Sequence, residues 1–506
     1  MLLCVTIDRE LRGERSVERT QRQETGDDNG SAMDRIQPGG GFPVSAPCTS
    51  MRGWLRQLAA TDRLTVARPG VALEFELAAI ASRLDGNQAC WFPAPGGHAI
   101  PVVAGFTAHR SWMAEAMGVK ENQLLDRFRQ AVEQPIPWSE VRGADAPVQR
   151  IVHREADIRS LLPIPRHNEH DSAPYITAGL VIARNPKTGV QNVSINRIQV
   201  NAARRMAILM LPRHLASFYH AAESLGQALP MAVVIGVDPL TLLASQAVVP
   251  VDFDELGIAG ALQGRPLRVA KCLTNEVRVP AEAEIVIEGR ILPGVRELEG
   301  PFGEFPKYYS PQDKREVIEI DCVTHRERPI YHTIVPGGME HLLLGGIPRE
   351  ATLLAHLKRS FTNVTDVHLA AGGVCRYHLY VQIKKQREGE PKNVILGAFG
   401  AHYDIKQVIV VDEDVDIHDP GEVEWAVATR FQADRDLVVV SGAQGSVLDP
   451  SAADGVSAKM GLDATRPLQF EGLTFVKTRI PGLEKVDLAR DLDPRALAGI
   501  GSALEG

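Results

Sequence analysis

The middle of this chain alternates apolar and polar residues over long runs, and this constrains the fold more than any other feature. YITAGLVIAR (175–184) and VQNVSINRIQV (190–200) flank Asn185-Pro186-Lys187-Thr188-Gly189, a sequence typical of a turn, and together they predict a β-hairpin. No helix as long as those near the N-terminus is expected between residues 150 and 335. We therefore predict a mixed or antiparallel sheet, or a barrel, in this region. Its further strands are expected at MAVVIGVD, LRVAKCLTNEVRVP, EIVIEGRIL and EVIEIDCVTH.

The segments on either side carry helical spacing instead. Residues 51–150 are predicted to form an α/β segment. It is expected to begin with a helix, because Trp54 and Leu58 have the spacing of residues on one helical face. Residues 336–506 are predicted to alternate helices with short strands, and one of the helices is expected to start near residue 350. A last helix is predicted within 481–499 and is expected to dock on a partner subunit. Residues 1–50 are poor in apolar side chains, so they predict a disordered tail or a start codon placed too early. The predicted fold class is α/β (α+β).

Composition excludes several classes of function. The formal net charge is −8, so no basic stripe is available for nucleic acid. The six cysteines are scattered without a C-x-x-C pair, which fits a reducing cytoplasm, and no apolar run reaches the length of a membrane span. The common nucleotide-binding, zinc-protease and serine-hydrolase motifs are also absent.

The most unusual stretch is Glu299-Gly300-Pro301-Phe302-Gly303-Glu304, hereafter the double-glutamate segment. Its glycines and proline restrict the path of the backbone between two carboxylates. Two acids that converge on one site can have their pKa values pushed apart, so that one stays protonated near pH 7 as a general acid. The alternative is a surface turn with two solvated glutamates.

Alternation along residues 192–197 divides them between two faces of the second hairpin strand. Arg197 shares its face with two apolar residues, and an arginine so placed is seldom buried without a carboxylate partner. This favours an Arg–Glu pair, while the alternative is an exposed face along which the side chain extends. The two faces comprise Asn192, Ser194 and Asn196, and Val193, Ile195 and Arg197.

Other polar residues are individually ordinary. His214 follows a helix-like run, Glu255 precedes a small helix, and a lone histidine is more often structural than a ligand. Together with Asn192 they would form a mixed nitrogen and oxygen site that suits Mn²⁺ or Mg²⁺ better than structural Zn²⁺. Two polar stretches, the histidine-containing 167–171 and the acidic 412–416, are interpreted as a solvated loop and a polar strand exit rather than as cation sites.

Taken together, the segments resemble the UbiD-like decarboxylases, a family that uses prenylated FMN and includes ferulic acid and 3-polyprenyl-4-hydroxybenzoate decarboxylases. The order of the segments and the double-glutamate segment make the resemblance specific, and it extends over roughly residues 150–470. The matching stretches are NVSINR, LPRH, the interval 255–271 ending in AKC, EIVIEG, EGPFGEFPKYYSP, KQVIVVDEDVD, EVEWAVATRF and VSAKMGLDAT.

The resemblance implies a split β-barrel-like flavin domain (151–335) between the N-terminal α/β segment and a C-terminal α/β domain that mediates oligomerisation, as a homodimer or homohexamer. It implies that Asn192, His214 and Glu255 bind Mn²⁺ (or Mg²⁺) at the flavin phosphate. A K⁺ (or Na⁺) ion is expected beside it, with Ser245 as the local candidate. The implied cofactor-binding residues are Asn192, Val193, Ser194, Ile195, Asn196, Arg197, Arg213, His214, Glu255 and Lys406.

The resemblance also implies the chemistry. Arg197, paired with Glu299, would orient a conjugated carboxylic acid that forms a covalent adduct with the cofactor and loses CO₂, and Glu304 would supply the replacing proton. A flavin prenyltransferase would supply the cofactor. Val193 and Arg213 stand where ferulate-type enzymes have Trp and Gln, so a cinnamate pocket is not expected. Residues from the C-terminal domain, near 332–341 or His402, would close the pocket around a more polar acid.

Two alternatives to reversible non-oxidative decarboxylation are open from the sequence. A flavin reductase-like oxidoreductase could use an FMN-binding split barrel, but it leaves the two glutamates without a role. A non-catalytic cofactor-binding subunit would not need to retain Arg197 and both glutamates.

Overall fold

A computed structural model describes residues 46–493 of the chain. The predicted tail lies almost entirely outside the described residues, as does the end of the predicted terminal helix. Within 46–493, no helix combines the length and the apolarity needed to cross a membrane.

The N-terminal segment packs short helices on a small sheet. Ser50 caps the first helix by accepting the N–H of Gly53, and Trp54 and Leu58 of that helix are fully buried, as their spacing predicted. The sheet has the order β1-β2-β3-β18, so a strand from the end of the central segment completes it. The elements are α1 (Met51–Ala60), β1 (Leu64–Val66), α2 (Glu76–Leu84), β2 (Ala89–Phe92), β3 (Val102–Ala104), α3 (Arg110–Ala116), α4 (Leu124–Glu133) and β4 (Ser139–Val141).

The central segment is dominated by one nine-stranded antiparallel sheet with the order β6-β9-β10-β17-β14-β11-β7-β8, and β5 pairs with β17. The elements are β5 (Ile151–His153), α5 (Ile158–Leu161), β6 (Tyr175–Ile176), β7 (Leu180–Arg184), β8 (Gln191–Ile195), β9 (Ile198–Ala202), β10 (Arg205–Ile208), α6 (His214–Glu223), β11 (Leu229–Ile235), α7 (Pro239–Ala244), α8 (Glu255–Gln263), β12 (Arg268–Lys271), β13 (Arg278–Pro280), β14 (Ile285–Glu299), β15 (Phe302–Gly303), β16 (Tyr309–Ser310), β17 (Asp313–His325) and β18 (Tyr331–His332).

The predicted hairpin is confirmed, since β7 pairs with β8 in antiparallel register around the turn. The predicted second strand nevertheless breaks after Ile195: β8 ends one side of the sheet, while β9 lies next to β6 at the other side. Three Cα steps of about 3.8 Å join the two, so these edges lie within about 11 Å of each other. The sheet therefore curls into a split, unclosed barrel, and Asn196 and Arg197 lie at the split.

Two sequence expectations for this region are wrong. Helix α6 has 10 residues, the same number as α1, so a helix of N-terminal length does interrupt the strands. The run before His214 is strand β10 and a short loop, and His214 begins a helix rather than ending one. Short apolar runs have no periodicity that separates strand from helix, which explains the second error.

The C-terminal segment is an α/β unit around a five-stranded sheet with the order β19-β20-β21-β23-β22. Helix α9 begins at Met339, well before the predicted start near residue 350, although it contains Pro348. Strand β23 was not predicted, and the predicted terminal helix is reduced to α12 within the described residues. The elements are α9 (Met339–Ser360), β19 (Val364–Leu369), β20 (His378–Ile383), α10 (Glu390–Ala401), β21 (Gln407–Asp412), α11 (Pro420–Arg430), β22 (Leu437–Gln444), β23 (Val456–Asp463) and α12 (Leu488–Asp491).

Candidate active site

Arg197 joins both carboxylates of the double-glutamate segment at the split of the barrel. Its Nε and Nη2 donate to the two oxygens of Glu299 at 3.0 and 2.8 Å, a bidentate pair. Its Nη1 donates to Glu304 and, at 2.7 Å, to the hydroxyl of Ser310. The side chains of Arg197 and Glu299 are 8% and 1% exposed, so the predicted buried pair is present. The alternative of a solvated turn is wrong, because β14 and β15 hold the segment inside the protein.

The two glutamates have unequal surroundings. Glu299 belongs to the end of β14 and takes both of the parallel donors of Arg197, whereas Glu304 shares only Nη1 with Ser310. Burial raises the pKa of Glu304, against the opposing effect of the Arg197 charge. Burial therefore favours the protonated form of Glu304.

A second group of residues surrounds β8. Glu255, the first residue of α8, accepts hydrogen bonds from the Nδ2 of Asn192 and the backbone N–H of Val193, both at 2.8 Å. Helices α6 and α8 both pack against β8, and His214 is the first residue of α6. Glu255 and His214 are both the first residues of their helices, and helix N-termini favour anions such as phosphate.

The donors around β8 fit a divalent cation. Glu255 is 2% exposed and has no basic ion-pair partner among residues 46–493, and burial raises its pKa to about 8. Neither the Oδ1 of Asn192 nor the ring of His214 has a hydrogen-bond partner within the described chain, and burial lowers the pKa of His214, which favours its neutral form. One carboxylate, one amide oxygen and one imidazole are ligands that suit Mn²⁺ or Mg²⁺.

The other predicted cofactor-lining residues lie along the same edge. Ser194 donates to the Oδ1 of Asn196 at 2.9 Å, and the Nδ2 of Asn196 donates to the carbonyl of Leu209 at 3.2 Å, which fixes the turn into Arg197. Val193 is buried and Ile195 packs on the core. Arg213 is exposed just before α6, with its Nη2 3.4 Å from the hydroxyl of Tyr403.

Lys406 and Ser245 have protein partners in this structure. The Nζ of Lys406 donates to Asp449 at 2.7 Å and to Ser451 at 2.5 Å, so Lys406 would have to exchange Asp449 for a phosphate. Ser245 is buried at the end of α7 and donates to the carbonyl of Leu242 at 2.6 Å. Both assignments stay predictions.

The two polar stretches that were not predicted to bind cations form contacts within the protein. Asp412 and Asp414 each accept a hydrogen bond from Arg430 at 2.9 Å, which agrees with a polar strand exit. In the other stretch, His167 and Asp171 are buried rather than solvated, so the solvated-loop interpretation is wrong at these two positions. No group of three or more His, Cys, Asp or Glu side chains within 46–493 could hold a metal ion.

Three polar residues near the site were missed by sequence reasoning. Ser310 contacts Arg197, but a serine in a turn carries no signal of that role. Arg349 on α9 and Arg376 after β19 are buried, and Arg376 lies 5.4 Å from the ring centre of Phe305, the residue after Glu304. The Nη1 of Arg349 has no hydrogen-bond partner within the described residues. Buried arginines are rare, yet their burial depends on tertiary contacts that periodicity does not report.

Comparison with known proteins places this architecture in one family. Three consecutive family models match: the 3-octaprenyl-4-hydroxybenzoate carboxy-lyase N-terminal domain over residues 55–132, the Rift-related domain over 139–339 and the C-terminal domain over 342–464. The boundaries predicted at 150 and 335 themselves stay a prediction.

Individual relatives agree with the family models. Anhydromevalonate phosphate decarboxylase from Methanothermobacter thermautotrophicus is 43% identical over 370 residues, which cover 73% of this chain and 86% of the relative. Gallate decarboxylase from Lactiplantibacillus plantarum is 31% identical, with coverage of 74% and 84%. The solved structure of the UbiD-class enzyme HmfF from Pelotomaculum thermopropionicum, in complex with FMN, superposes with a TM-score of 0.87 at 50% identity and covers 88% of this chain and 100% of HmfF. An evolved dimeric form of HmfF has been solved with prenylated FMN.

The family models together span most of residues 55–464, which include the double-glutamate segment and Arg197. On these matches the chain belongs to the UbiD family of decarboxylases, as its sequence motifs indicated.

Proposed function

We propose that this protein catalyses the reversible, non-oxidative decarboxylation of an aromatic, heteroaromatic or α,β-unsaturated carboxylic acid with prenylated FMN. The observation that carries the proposal is the buried Arg197 held between Glu299 and Glu304 at the split of the barrel. The prenylated FMN bound to the HmfF relative supports the choice of cofactor. Bound there, it would supply the sink for the electron pair that remains when the C–C bond to CO₂ breaks.

The roles of the three residues follow from their geometry. Glu299 occupies the Nε and Nη2 donors of Arg197 and so fixes the plane of the guanidinium. The Nη1 donors face Glu304 and Ser310, and there a substrate carboxylate would be oriented. Glu304 then delivers the proton that takes the place of CO₂ on the vacated carbon.

Asn192, His214 and Glu255 would hold Mn²⁺ (or Mg²⁺), with K⁺ (or Na⁺) near Ser245. The divalent ion would neutralise both the buried Glu255 and the flavin phosphate, which the N-termini of α6 and α8 also favour. Arg213 and the chain from Val193 to Asn196 would line the cofactor, and Lys406 would contact its phosphate. The proposed assembly is a homodimer or homohexamer, and a flavin prenyltransferase would supply the cofactor.

Glu255→Ala tests the metal site. Loss of the carboxylate should weaken Mn²⁺ binding by more than about tenfold and deplete the bound flavin. Replacing a residue that only supports a metal ligand already lowers metal affinity by about 10–100-fold, and replacing a ligand itself should lower it at least as much. Metal content by mass spectrometry and the flavin absorbance measure both effects, with the exposed Glu276→Ala as matched control. Normal metal content and an unchanged flavin spectrum in Glu255→Ala would contradict the assignment.

Two buried arginines, Arg376 beside Phe305 and its neighbour Arg349, favour a substrate with a second anionic group. Arg349 lies 3.6 Å from Asp404, its one carboxylate partner within the described residues, and burial together with the nearby charge of Arg376 lowers its pKa. An anion would stabilise both guanidiniums and satisfy the free Nη1 of Arg349. The Methanothermobacter relative is named for a phosphate-bearing substrate, which is consistent with such a pocket.

Arg349→Gln tests the second anion. We expect kcat/KM to fall on the order of tenfold to a hundredfold for acids with a second carboxylate or phosphate, since a hydrogen bond to a charged group contributes about 1.5–3 kcal/mol. Matched acids without that group should be unaffected. Arg359→Gln, on the exposed side of the same helix, is the control. Loss of flavin instead of selectivity would assign Arg349 to the cofactor phosphate.

The function itself is tested on protein co-expressed with a flavin prenyltransferase. Cofactor mass spectrometry is followed by a CO₂-release screen of conjugated acids with and without a second anionic group, with gallate and 3,4-dihydroxybenzoate included. Bound prenylated FMN with CO₂ release is the expected result. Plain FMN, no CO₂ release and NAD(P)H-dependent reduction would instead identify an oxidoreductase.

A further inference from the structure

The stretch Arg166–Asp171, hereafter the 166–171 loop, packs directly on the double-glutamate segment. Its last residue, Asp171, has no solvent exposure. The Oδ1 of Asp171 accepts the backbone N–H of Gly303 at 2.8 Å, and its Oδ2 accepts the N–H of Asn168 at 2.9 Å. Within residues 46–493 the carboxylate forms no ion pair, so amide donors alone compensate its charge. Hydrogen bonds from amides to a buried carboxylate are among the stronger ones in proteins.

The contact fixes the backbone immediately before Glu304. The N–H of Gly303 is bound by Asp171, and the N–H of Glu304 donates to the carbonyl of Tyr308 at 2.9 Å. Two successive peptide groups are therefore held, one on each side of the Gly303 Cα. Gly303 also lies so close to the loop that a Cβ there would come within 2.4 Å of the Nδ2 of Asn168.

A proton donor needs this kind of restraint. Proton transfer requires the donor within about 3 Å of its acceptor, and a displacement of about 1 Å can cost on the order of a hundredfold in rate. The loop itself is anchored, since the Nε of Arg166 donates to the carbonyl of Asp171 at 2.7 Å. The N–H of Ser172 donates to the carbonyl of Pro301 at 3.0 Å, a second contact with the same segment.

We propose that Asp171 is a positioning residue for Glu304: by holding the Gly303 amide, it keeps the Glu304 carboxyl where it can protonate the vacated carbon. The proposal rests on the role of Glu304 as proton donor in the proposed function. It predicts a selective defect. Cleavage of the C–C bond and return of CO₂ need no proton, whereas net product formation needs one from Glu304.

The test compares two rates on the holoenzyme, using the acid that releases most CO₂ in the screen. Exchange of the substrate carboxyl with ¹³C-bicarbonate reports cleavage, and deuterium incorporation from D₂O reports proton delivery. In Asp171→Ala we expect net turnover to fall on the order of tenfold to a hundredfold while carboxyl exchange stays within about twofold of wild type. Asp171→Asn should be intermediate, because an amide oxygen can still accept the Gly303 N–H. The exposed Glu169→Gln is the matched control and should behave as wild type.

Hydrogen exchange of residues 299–304 gives a readout without substrate. The Gly303 amide should exchange faster in both Asp171 variants, with the melting temperature of Asp171→Asn and its flavin absorbance retained. Equal loss of carboxyl exchange and net turnover in Asp171→Asn, or wild-type turnover in Asp171→Ala, would overturn the proposal. Glu304→Gln separates the two hypotheses: if that variant keeps net turnover, the proton-donor role fails, and if it alone loses turnover, only the role of Asp171 fails.

Discussion

Arg197 is shared between two carboxylates, and in the proposed mechanism this sharing would link substrate binding to protonation. Its Nη1 donors already bind Glu304 and Ser310, so a substrate carboxylate must compete with Glu304 for them. Once Glu304 takes up a proton, it no longer needs the guanidinium, and the substrate can replace it without adding net negative charge to a buried site. In the proposed mechanism, a substrate that occupies Arg197 would thereby leave Glu304 protonated, which is the form that the proposed final step requires.

The pH dependence of turnover follows from this linkage. Burial raises the pKa of Glu304 above the ordinary value of 4.5, so the donor stays protonated to a higher pH than an exposed glutamate would. Turnover should therefore be retained below that raised pKa and should fall as the pH rises through it. In Glu304→Gln we expect net turnover to drop about 10²–10⁴-fold and the residual rate to lose this alkaline decline. A profile of kcat/KM against pH for both proteins, with flavin content checked, would show whether the decline belongs to Glu304.

At the scale of elements, the sequence predicted what periodicity and local motifs encode. The hairpin of β7 and β8 was predictable from alternation. The Arg197–Glu pair was predictable from an arginine close to apolar residues, although Arg197 lies between β8 and β9 rather than on a strand. The break after Ile195 was not predictable, because the sequence continues through residues 195–198 without a turn motif and only the curvature of the sheet separates β8 from β9. The early start of α9 was not predicted, because Gly345 and Pro348 are unfavourable inside a helix. A glycine is needed at position 345 because the guanidinium of Arg376 leaves no room for a Cβ. This contact comes from a residue distant in sequence, so local patterns do not report it.

The close packing of the 166–171 loop on β15 can be probed through glycine. Gly303→Ala would place a methyl group against Asn168, so we expect a loss of about 1–3 kcal/mol in the free energy of unfolding. Removing the obstacle in Gly303→Ala with Asn168→Ala should recover part of that loss. Urea unfolding of the two single variants and the double variant measures the coupling. If the losses in unfolding free energy were strictly additive, residues 303 and 168 would not be energetically coupled.

At the scale of the whole molecule, helix α9 connects the N-terminal segment to the C-terminal sheet. Glu350 accepts hydrogen bonds from Arg110 of α3 and, at 2.9 Å, from the ring of His368 on β19, with a further bond from the Leu369 N–H at 2.7 Å. Burial alone would raise the pKa of Glu350, but Arg110 and His368 lower it to about 2, so the residue stays ionised throughout the physiological range. The helix that carries Arg349 is thus fixed to the N-terminal segment and to the C-terminal sheet together.

Residues 467–493, hereafter the C-terminal arm, leave several large apolar side chains exposed in a single copy of the chain. Leu473, Ile480 and Leu483 are 79%, 69% and 62% exposed, and other large apolar residues of the arm are exposed as well. Monomers seldom leave contiguous apolar surface of more than a few hundred Å² uncovered. Val439 and Met460, opposite each other on β22 and β23, add exposed apolar surface on the same C-terminal segment.

We therefore expect the arm to contribute to the homodimer or homohexamer. A chain that ends at Arg466 should assemble into smaller species than the full chain, because the apolar area that the arm would bury between copies is lost. Light scattering coupled to size exclusion measures the two masses at matched concentrations. Replacing Leu473 and Ile480 by serine in the full chain is the finer control, since it removes apolar contact while keeping the length of the arm. A monomeric full chain, or an unchanged assembly in both variants, would show that the arm serves no interface between copies of this protein.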